Sequence, residues 1–308
     1  MSMLVVGSVA LDRIETPFGS VDQTLGGAAT YFAAAGSLFH PVQLVGVIGS
    51  DFPEKELDFL REREVDLAGL ERAEGESFFW AGRYHYDLNT RDTLETRLGV
   101  FGEFKPRIPT QFRDARWVFL ANIDPELQLD VLNQVSRPEL VAADTMNYWI
   151  EGKRDALLEL LPRVDALLLN DSEARELSGD HNLTRAAAWI RERGPRILVI
   201  KKGEHGALLF TDNGIFFAPG YPLEEVLDPT GAGDAFAGGF MGWLAYVGAV
   251  NDDELRRAMI YGSATGSLVC ERFGMERLRD LEIDDIHDRV RAFRQLTAFE
   301  HPVPSAHG

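Results

Sequence analysis

The feature that most narrows what this chain can fold into is a regular alternation of short apolar runs with helix-like stretches. From Trp117 onward such runs occupy 117–121, 140–144, 166–170 and 196–201, and the first three lead into helical stretches starting at Pro125, Gly152 and Ser172. Apolar runs without polar alternation are strands covered on both faces. Strands separated by helices lie parallel, joined by right-handed crossovers that place helices on both sides of the sheet. Residues 3–9 and Val42–Ile48 read the same way, with an Ala-rich helix between them running from the Gly26, Gly27 pair to about Leu38. The expected fold class is therefore α/β, a three-layer sandwich with a mostly parallel central sheet.

One region departs from this pattern. Residues 77–100 carry Phe78, Phe79, Trp80, Tyr84, Tyr86, Thr93 and Thr96, with β preference, partial alternation and no helix behind them. Together with residues 14–24 they read as an antiparallel excursion from the main sheet. Their aromatic residues suit packing within the excursion, a contact between two copies of it, or a face for a bound ring. No repeat, low-complexity tract or Pro/Ser-rich linker divides the chain, so residues 1–308 are expected to form a single domain, with 302–308 as a frayed tail.

Composition excludes several classes. The 308 residues include 49 acidic against 31 basic ones, a formal net charge of -18, which argues against a surface for nucleic acid or anionic lipid. The apolar run from Phe236 to Val250 falls short of the roughly 20 residues a membrane-spanning helix needs. A single cysteine, Cys270, rules out an intramolecular disulfide, and the N-terminus enters an apolar strand without a basic leader. A cytoplasmic location is the expectation, with a small molecule as partner.

The chemistry concentrates in Asp228, Pro229, Thr230, Gly231, Ala232, Gly233 and Asp234, which lead into a stretch rich in Ala, Leu, Met and Phe at helical spacing. A tight glycine turn feeding a helix leaves free N–H donors at the positive end of the helix dipole, and such a start binds anions. A carboxylate beside an anion site suits phosphoryl transfer, in which Asp234 takes the proton of an attacking hydroxyl. An acidic helix start after a glycine turn would look the same. The other phosphate loops are absent: Phe236 stands where a dinucleotide fingerprint needs its third glycine, and no Gly-Lys-Ser/Thr triplet occurs.

This run resembles the C-terminal signature of the phosphofructokinase-B, or ribokinase-like, kinases, Asp-Thr-Thr-Gly-Ala-Gly-Asp with Phe next but one; Pro229 is the one departure. The resemblance implies a ribokinase-like fold with a small β-lid formed by about 12–24 and 76–101, closing over the acceptor, and a homodimer through that lid. It implies ATP and Mg²⁺ as cofactors. Asp234 would be the catalytic base, and Gly231, Ala232 and Gly233 the anion hole. Asp12, shortly after the first strand, and the Gly26 and Gly27 backbone would hold the acceptor. Asn170 and Glu173 match the family's Asn-x-x-Glu element, implying a Mg²⁺ and phosphate environment reached through water. Lys202, Gly203 and Gly206 match a turn bordering the nucleotide, and Asp228 a site for a monovalent cation such as K⁺. Tyr31 stands where the family's sugar kinases carry Asn, which turns the expectation toward a nucleoside, with the Tyr31 ring stacking on a base. The expected activity is ATP-dependent phosphorylation of a hydroxymethyl group on a sugar or ribonucleoside. The runners-up are a dedicated nucleoside kinase and a silent nucleotide- or sugar-binding protein; the intact Asp234 argues against the latter.

Overall fold

The computed structural model describes residues 2–299, so the 302–308 tail lies outside the described residues. Its strands are β1 (Met3–Val6), β2 (Ala10–Thr16), β3 (Gly19–Gly26), β4 (Val42–Ile48), β5 (Asp66–Arg72), β6 (Phe78–Tyr84), β7 (Arg91–Arg97), β8 (Trp117–Leu120), β9 (Leu140–Asp144), β10 (Ala166–Asn170), β11 (Ile197–Lys201), β12 (Ala207–Thr211) and β13 (Gly214–Ala218). The helices are α1 (Ala28–Gly36), α2 (Glu54–Glu62), α3 (Pro125–Gln134), α4 (Asn147–Gly152), α5 (Arg154–Leu160), α6 (Asp171–Ser178), α7 (Leu183–Arg191), α8 (Ala232–Val247), α9 (Asp252–Val269), α10 (Glu276–Asp280) and α11 (Ile283–Thr297).

Nine strands form the central sheet in the order β13-β12-β11-β10-β9-β8-β1-β4-β5. All neighbouring pairs are parallel except β11 with β12 and β12 with β13. Strand periodicity sorts the core into two layers. On β1, Met3 and Val5 face the cluster built with α1, α8 and α9, whereas Leu4 and Val6 face the one built with α3, α5, α6 and α7. In the first cluster Phe32 of α1 stacks on Phe119 of β8 at 4.3 Å between ring centroids. Each such fully buried ring contributes about 1.5–3 kcal/mol. The three-layer sandwich expected from the βα alternation is the fold observed.

Four strands form a second sheet, in the order β3-β2-β6-β7, from the two stretches that break the alternation; its two hairpins are antiparallel as expected, but β2 and β6, which join them, run parallel. Its base is fastened at Ser77, whose N–H and hydroxyl both donate to Asp51 Oδ1 at 2.8 and 2.6 Å, while Gly49 N–H donates to the Ser77 hydroxyl.

The details differ from expectation in three places. The apolar run 3–9 is not one strand: β1 ends at Val6, and Ser8 turns back to hold the start of α1, accepting from Ala28 N–H at its hydroxyl and from Ala29 N–H at its carbonyl. Asp12 therefore lies within β2, in the second sheet, rather than in a loop behind the first strand. The helix expected from Gly152 is split into α4 and α5, and α6 is capped by Asn170 rather than Ser172.

Candidate active site

In an open α/β sheet ligands bind beyond the carboxyl ends of the strands, where the strand order reverses. Here that edge collects Ser8 after β1, Asp144 ending β9, Asn170 ending β10 and Lys201 ending β11. The start of α8 is close by: a Cβ added to Gly233 would lie 3.2 Å from Lys201 Nζ. Gly231 is the N-cap in the left-handed region, φ 74°, a conformation that favours glycine. It also has no room for a side chain, since an added Cβ would fall 2.3 Å from the Tyr31 ring. The Ala232 N–H turns back to the Pro229 carbonyl at 3.2 Å. Gly231, Gly233 and Asp234 N–H find no backbone acceptor among the described residues, so they, rather than Ala232 N–H, are the donors this helix start offers an anion.

The charges here are buried and close. Lys201 Nζ donates to Asp144 Oδ2 at 3.1 Å. Burial works against the Lys201 charge, but Asp144, Glu173 and Asp234 outweigh it and hold its pKa above the ordinary lysine value. Asp234, third residue of α8, is pushed up to about 7 by burial and then by Asp144, with Lys201 and Arg91 pulling the other way. Glu173 is raised to about 7 by burial and Asp144. It forms a capping box with Asn170: Asn170 N–H donates to Glu173 Oε2 at 2.7 Å and Glu173 N–H to Asn170 Oδ1 at 2.8 Å.

Toward the second sheet, Asp12 is 5% exposed and its pKa is raised to about 8 by burial, then by Asp228 and Asp234. Gly26 leaves room for it, because an added Cβ would meet the Asp12 carboxyl at 2.1 Å. The buried Tyr31 hydroxyl has no hydrogen-bond partner among the described residues and lies within electrostatic reach of Asp228, Asp12, Tyr84 and Asp234. Tyr84, from β6, accepts a hydrogen bond from the Thr230 hydroxyl at 3.2 Å, tying the second sheet to the loop before α8. Free N–H donors at the α8 start, with the buried Asp234 carboxyl of raised pKa beside them, are groups that phosphoryl transfer can use.

The model of the pfkB family of carbohydrate kinases matches residues 2–280. The chain belongs to this family. This kinase is 31% identical over 289 residues, 91% of its own length and 96% of the other's, to a cytidine kinase from Thermococcus kodakarensis. It is 29% identical over 269 residues, 84% and 85% of the two lengths, to an ATP-dependent ribose-1-phosphate kinase from Halopiger xanaduensis. Its fold superposes on a nucleoside kinase from Burkholderia thailandensis, solved in complex with inosine, with a TM-score of 0.79, 20% identity and coverage of 96% and 98%. The chain is thus an ATP-dependent kinase of the ribokinase-like group, acting on a hydroxyl of a sugar or nucleoside.

The fold places Asp12 within electrostatic reach of Asp228 and Asp234, and Glu173 within reach of Asp144 and Lys201, while four of the settings differ from those expected. Tyr31 is 1% exposed, with its ring against Gly231, so it offers no face for stacking a base; what it presents is its hydroxyl. The Gly27 N–H faces the Asp12 carboxyl and favours its ionised form. Of the neighbouring lysines, Lys201, the last residue of β11, lies against the anion loop, whereas Lys202 already belongs to the turn that follows. Lys202 instead closes the turn through Gly203 and Gly206, its N–H donating to the Gly206 carbonyl at 2.7 Å. Asp228 clips the loop together, its two oxygens accepting from Thr230 N–H and Gly274 N–H at 2.8 Å each.

Sequence reasoning missed Asp144, Lys201 and Arg91. A charged residue ending an apolar strand marks the first two. Arg91 carried no comparable sign.

Proposed function

We propose that this kinase transfers the γ-phosphoryl group of ATP to the 5′-hydroxymethyl group of a ribonucleoside, with cytidine the leading acceptor. The observation that sets a neutral acceptor above a phosphorylated one is the charge at the acceptor end: Asp12, Asp228 and Asp234 are close enough that the latter two raise the Asp12 pKa. A neutral ribose diol donates to Asp12 and favours its ionised form, whereas a phosphorylated sugar brings further negative charge against three carboxylates. The near full-length likeness to a cytidine kinase supports the same choice.

In this reading Asp12 accepts the ribose hydroxyls and the Tyr31 hydroxyl makes its missing hydrogen bond to the acceptor. Asp234 takes the proton of the attacking hydroxyl. Gly233 and Asp234 N–H, with Lys201, face the charge on the transferred phosphoryl. The transfer passes through a loose transition state, so positioning and electrostatics supply most of the rate. Among the described residues no three Asp, Glu, His or Cys side chains cluster around a metal position, while Glu173 and Asp144 leave surplus buried negative charge. This fits Mg²⁺ carried on the ATP phosphates, with Glu173 and Asn170 reached through water, where it would neutralise phosphate charge.

The second sheet acts as the lid that keeps water from the phosphoryl group. Its exposed Phe18, Tyr86, Leu94 and Leu98 suit contact with a second copy of the chain, which sedimentation would register as a dimer. The function is tested by ADP release with ribonucleosides, free pentoses and hexoses, and sugar phosphates. Turnover of at least one ribonucleoside is expected; rapid turnover of a sugar or sugar phosphate with none of any nucleoside overturns the reading.

A further inference from the structure

The start of α8 has little of its own to hold it. Its N-cap is Gly231, which brings no side chain to the helix end, and no other side chain caps it. Glycine at 231 and 233 leaves the backbone free to take other conformations, so the place of the free N–H groups depends on what anchors the chain just before them. The last residue there with an anchoring side chain is Thr230. Its N–H donates to Asp228 Oδ1 and its hydroxyl to the Tyr84 hydroxyl at 3.2 Å.

The second sheet rests on both halves of this anchor. Asp228, fully buried, joins Thr230 to Gly274 through its two oxygens, at 2.8 Å each. Tyr84, 6% exposed at the end of β6, meets the Thr230 half. β3 meets the other half: a Cβ added to Gly274 would fall 2.7 Å from the Thr24 side chain, and one added to Gly19 would fall 3.1 Å from the Phe273 ring. A third contact steadies the hairpin between β6 and β7, where a Cβ added to Gly203 would fall 2.5 Å from Asn89 Oδ1. Two strands of one sheet therefore grip the two residues that Asp228 clips together.

We propose that Tyr84 is a positioning residue for the anion loop: its hydroxyl, acting through that of Thr230, sets where the free N–H groups of the α8 start and the Asp234 carboxyl stand. The inference rests on the phosphoryl-transfer reading above and adds the group that fixes its geometry. Donors stabilise a phosphoryl group in transit only when they stand within about 2.7–3.1 Å of the developing charge, so a small drift of the loop lowers the rate without altering which groups are present. One neutral hydrogen bond shifts such an equilibrium by roughly 3–10-fold, which sets the size of the effect. Arg91, the register partner of Tyr84, also hydrogen-bonds the phenol, so a double-mutant cycle is needed to tell the two neighbours apart.

Tyr84→Phe, Thr230→Val and the double variant are assayed with whichever acceptor the wild-type enzyme turns over best, so that the result stands apart from the acceptor's identity. Each single variant should lower kcat by about 3–10-fold with acceptor KM within about twofold, and the double variant should lose no more than either single one. Thr230→Ser, which keeps the hydroxyl, should stay within about twofold of wild type. A second readout needs no turnover. Ala232 N–H and Ala235 N–H are bonded to the Pro229 and Gly231 carbonyls, so hydrogen exchange at these two amides reports the loop. Tyr84→Phe should speed it by about threefold or more. Losses that multiply in the double variant would route the effect through Arg91, and a raised acceptor KM with unchanged kcat would place the phenol on the acceptor; either overturns the proposal. So does unchanged exchange at Ala232 and Ala235. A wild-type protein that phosphorylates no acceptor would end the phosphoryl-transfer reading, and the exchange rates would still decide whether Tyr84 holds the loop.

Discussion

Asp234 stands where two demands conflict. It must be ionised to accept a proton, yet burial and Asp144 push its pKa to about 7. A base poised there works best at and above neutrality, so kcat/KM should begin to fall below about pH 8, where Asp12 takes up a proton, and fall by more than tenfold per pH unit below about 7, where Asp234 does too. Asp234→Asn should lower kcat by roughly 10²–10⁴ while ATP affinity changes little; activity within threefold of wild type would remove Asp234 from the role. Tyr31→Phe addresses a different group. Its hydroxyl has no hydrogen-bond partner among the described residues, so its loss should leave thermal stability unchanged or raised and should weaken acceptor binding by about 2–10-fold. An unchanged acceptor KM would leave the hydroxyl without a role in binding. Asp234 was legible because its setting is local: glycine turn, carboxylate and helix lie within a few residues. The Tyr31 environment was not, because the ring is covered by Gly231, 200 positions later in the chain, and no local pattern marks that contact.

The elements were legible to different degrees for similar reasons. Strands buried on both faces announce themselves by continuous apolar runs, and β8 to β11 were read nearly to the residue. β5 was not anticipated, since it is an edge strand whose sequence, Asp-Leu-Ala-Gly-Leu-Glu-Arg, is only partly covered. The run 3–9 misled because strand, turn and the next strand are all apolar, and only the sheet assignment separates them. Lys201 and Lys202 are indistinguishable in sequence, and which one enters the cleft depends on where β11 ends. The second sheet was read from its aromatic content, but its reach toward the Gly203 turn depends on the fold of the hairpin. Replacing the tip at 85–90 with a two-residue turn should raise acceptor KM and the share of ATP lost to hydrolysis, measured as ADP formed per acceptor phosphorylated. A ratio that stays at one would show that this tip does not shield the reaction.

For the whole molecule, the site carries a cost in stability. Asp12, Glu173 and Asp234 have folded pKa values of about 8, 7 and 7 against ordinary values of 3.8, 4.5 and 3.8. Between roughly pH 4 and 8 the folded form thus binds more protons than the unfolded one, and stability falls as pH rises through that window. The unliganded protein should melt higher at pH 5.5 than at pH 8. Asp234→Asn should narrow that gap and stabilise the protein at pH 8 by on the order of 1–2 kcal/mol, as is common where a functional group is held under strain. Calorimetry at the two pH values checks both points; a melting temperature that rises with pH would contradict the burial of these carboxylates. The same crowded charge underlies the choice of acceptor, the central claim, and a competition measures it directly. With cytidine and ribose 1-phosphate at equal concentration and ATP in excess, the ratio of their consumption gives the ratio of kcat/KM. The carboxylate-walled site predicts cytidine favoured by about tenfold or more, whereas preferential consumption of ribose 1-phosphate would contradict it.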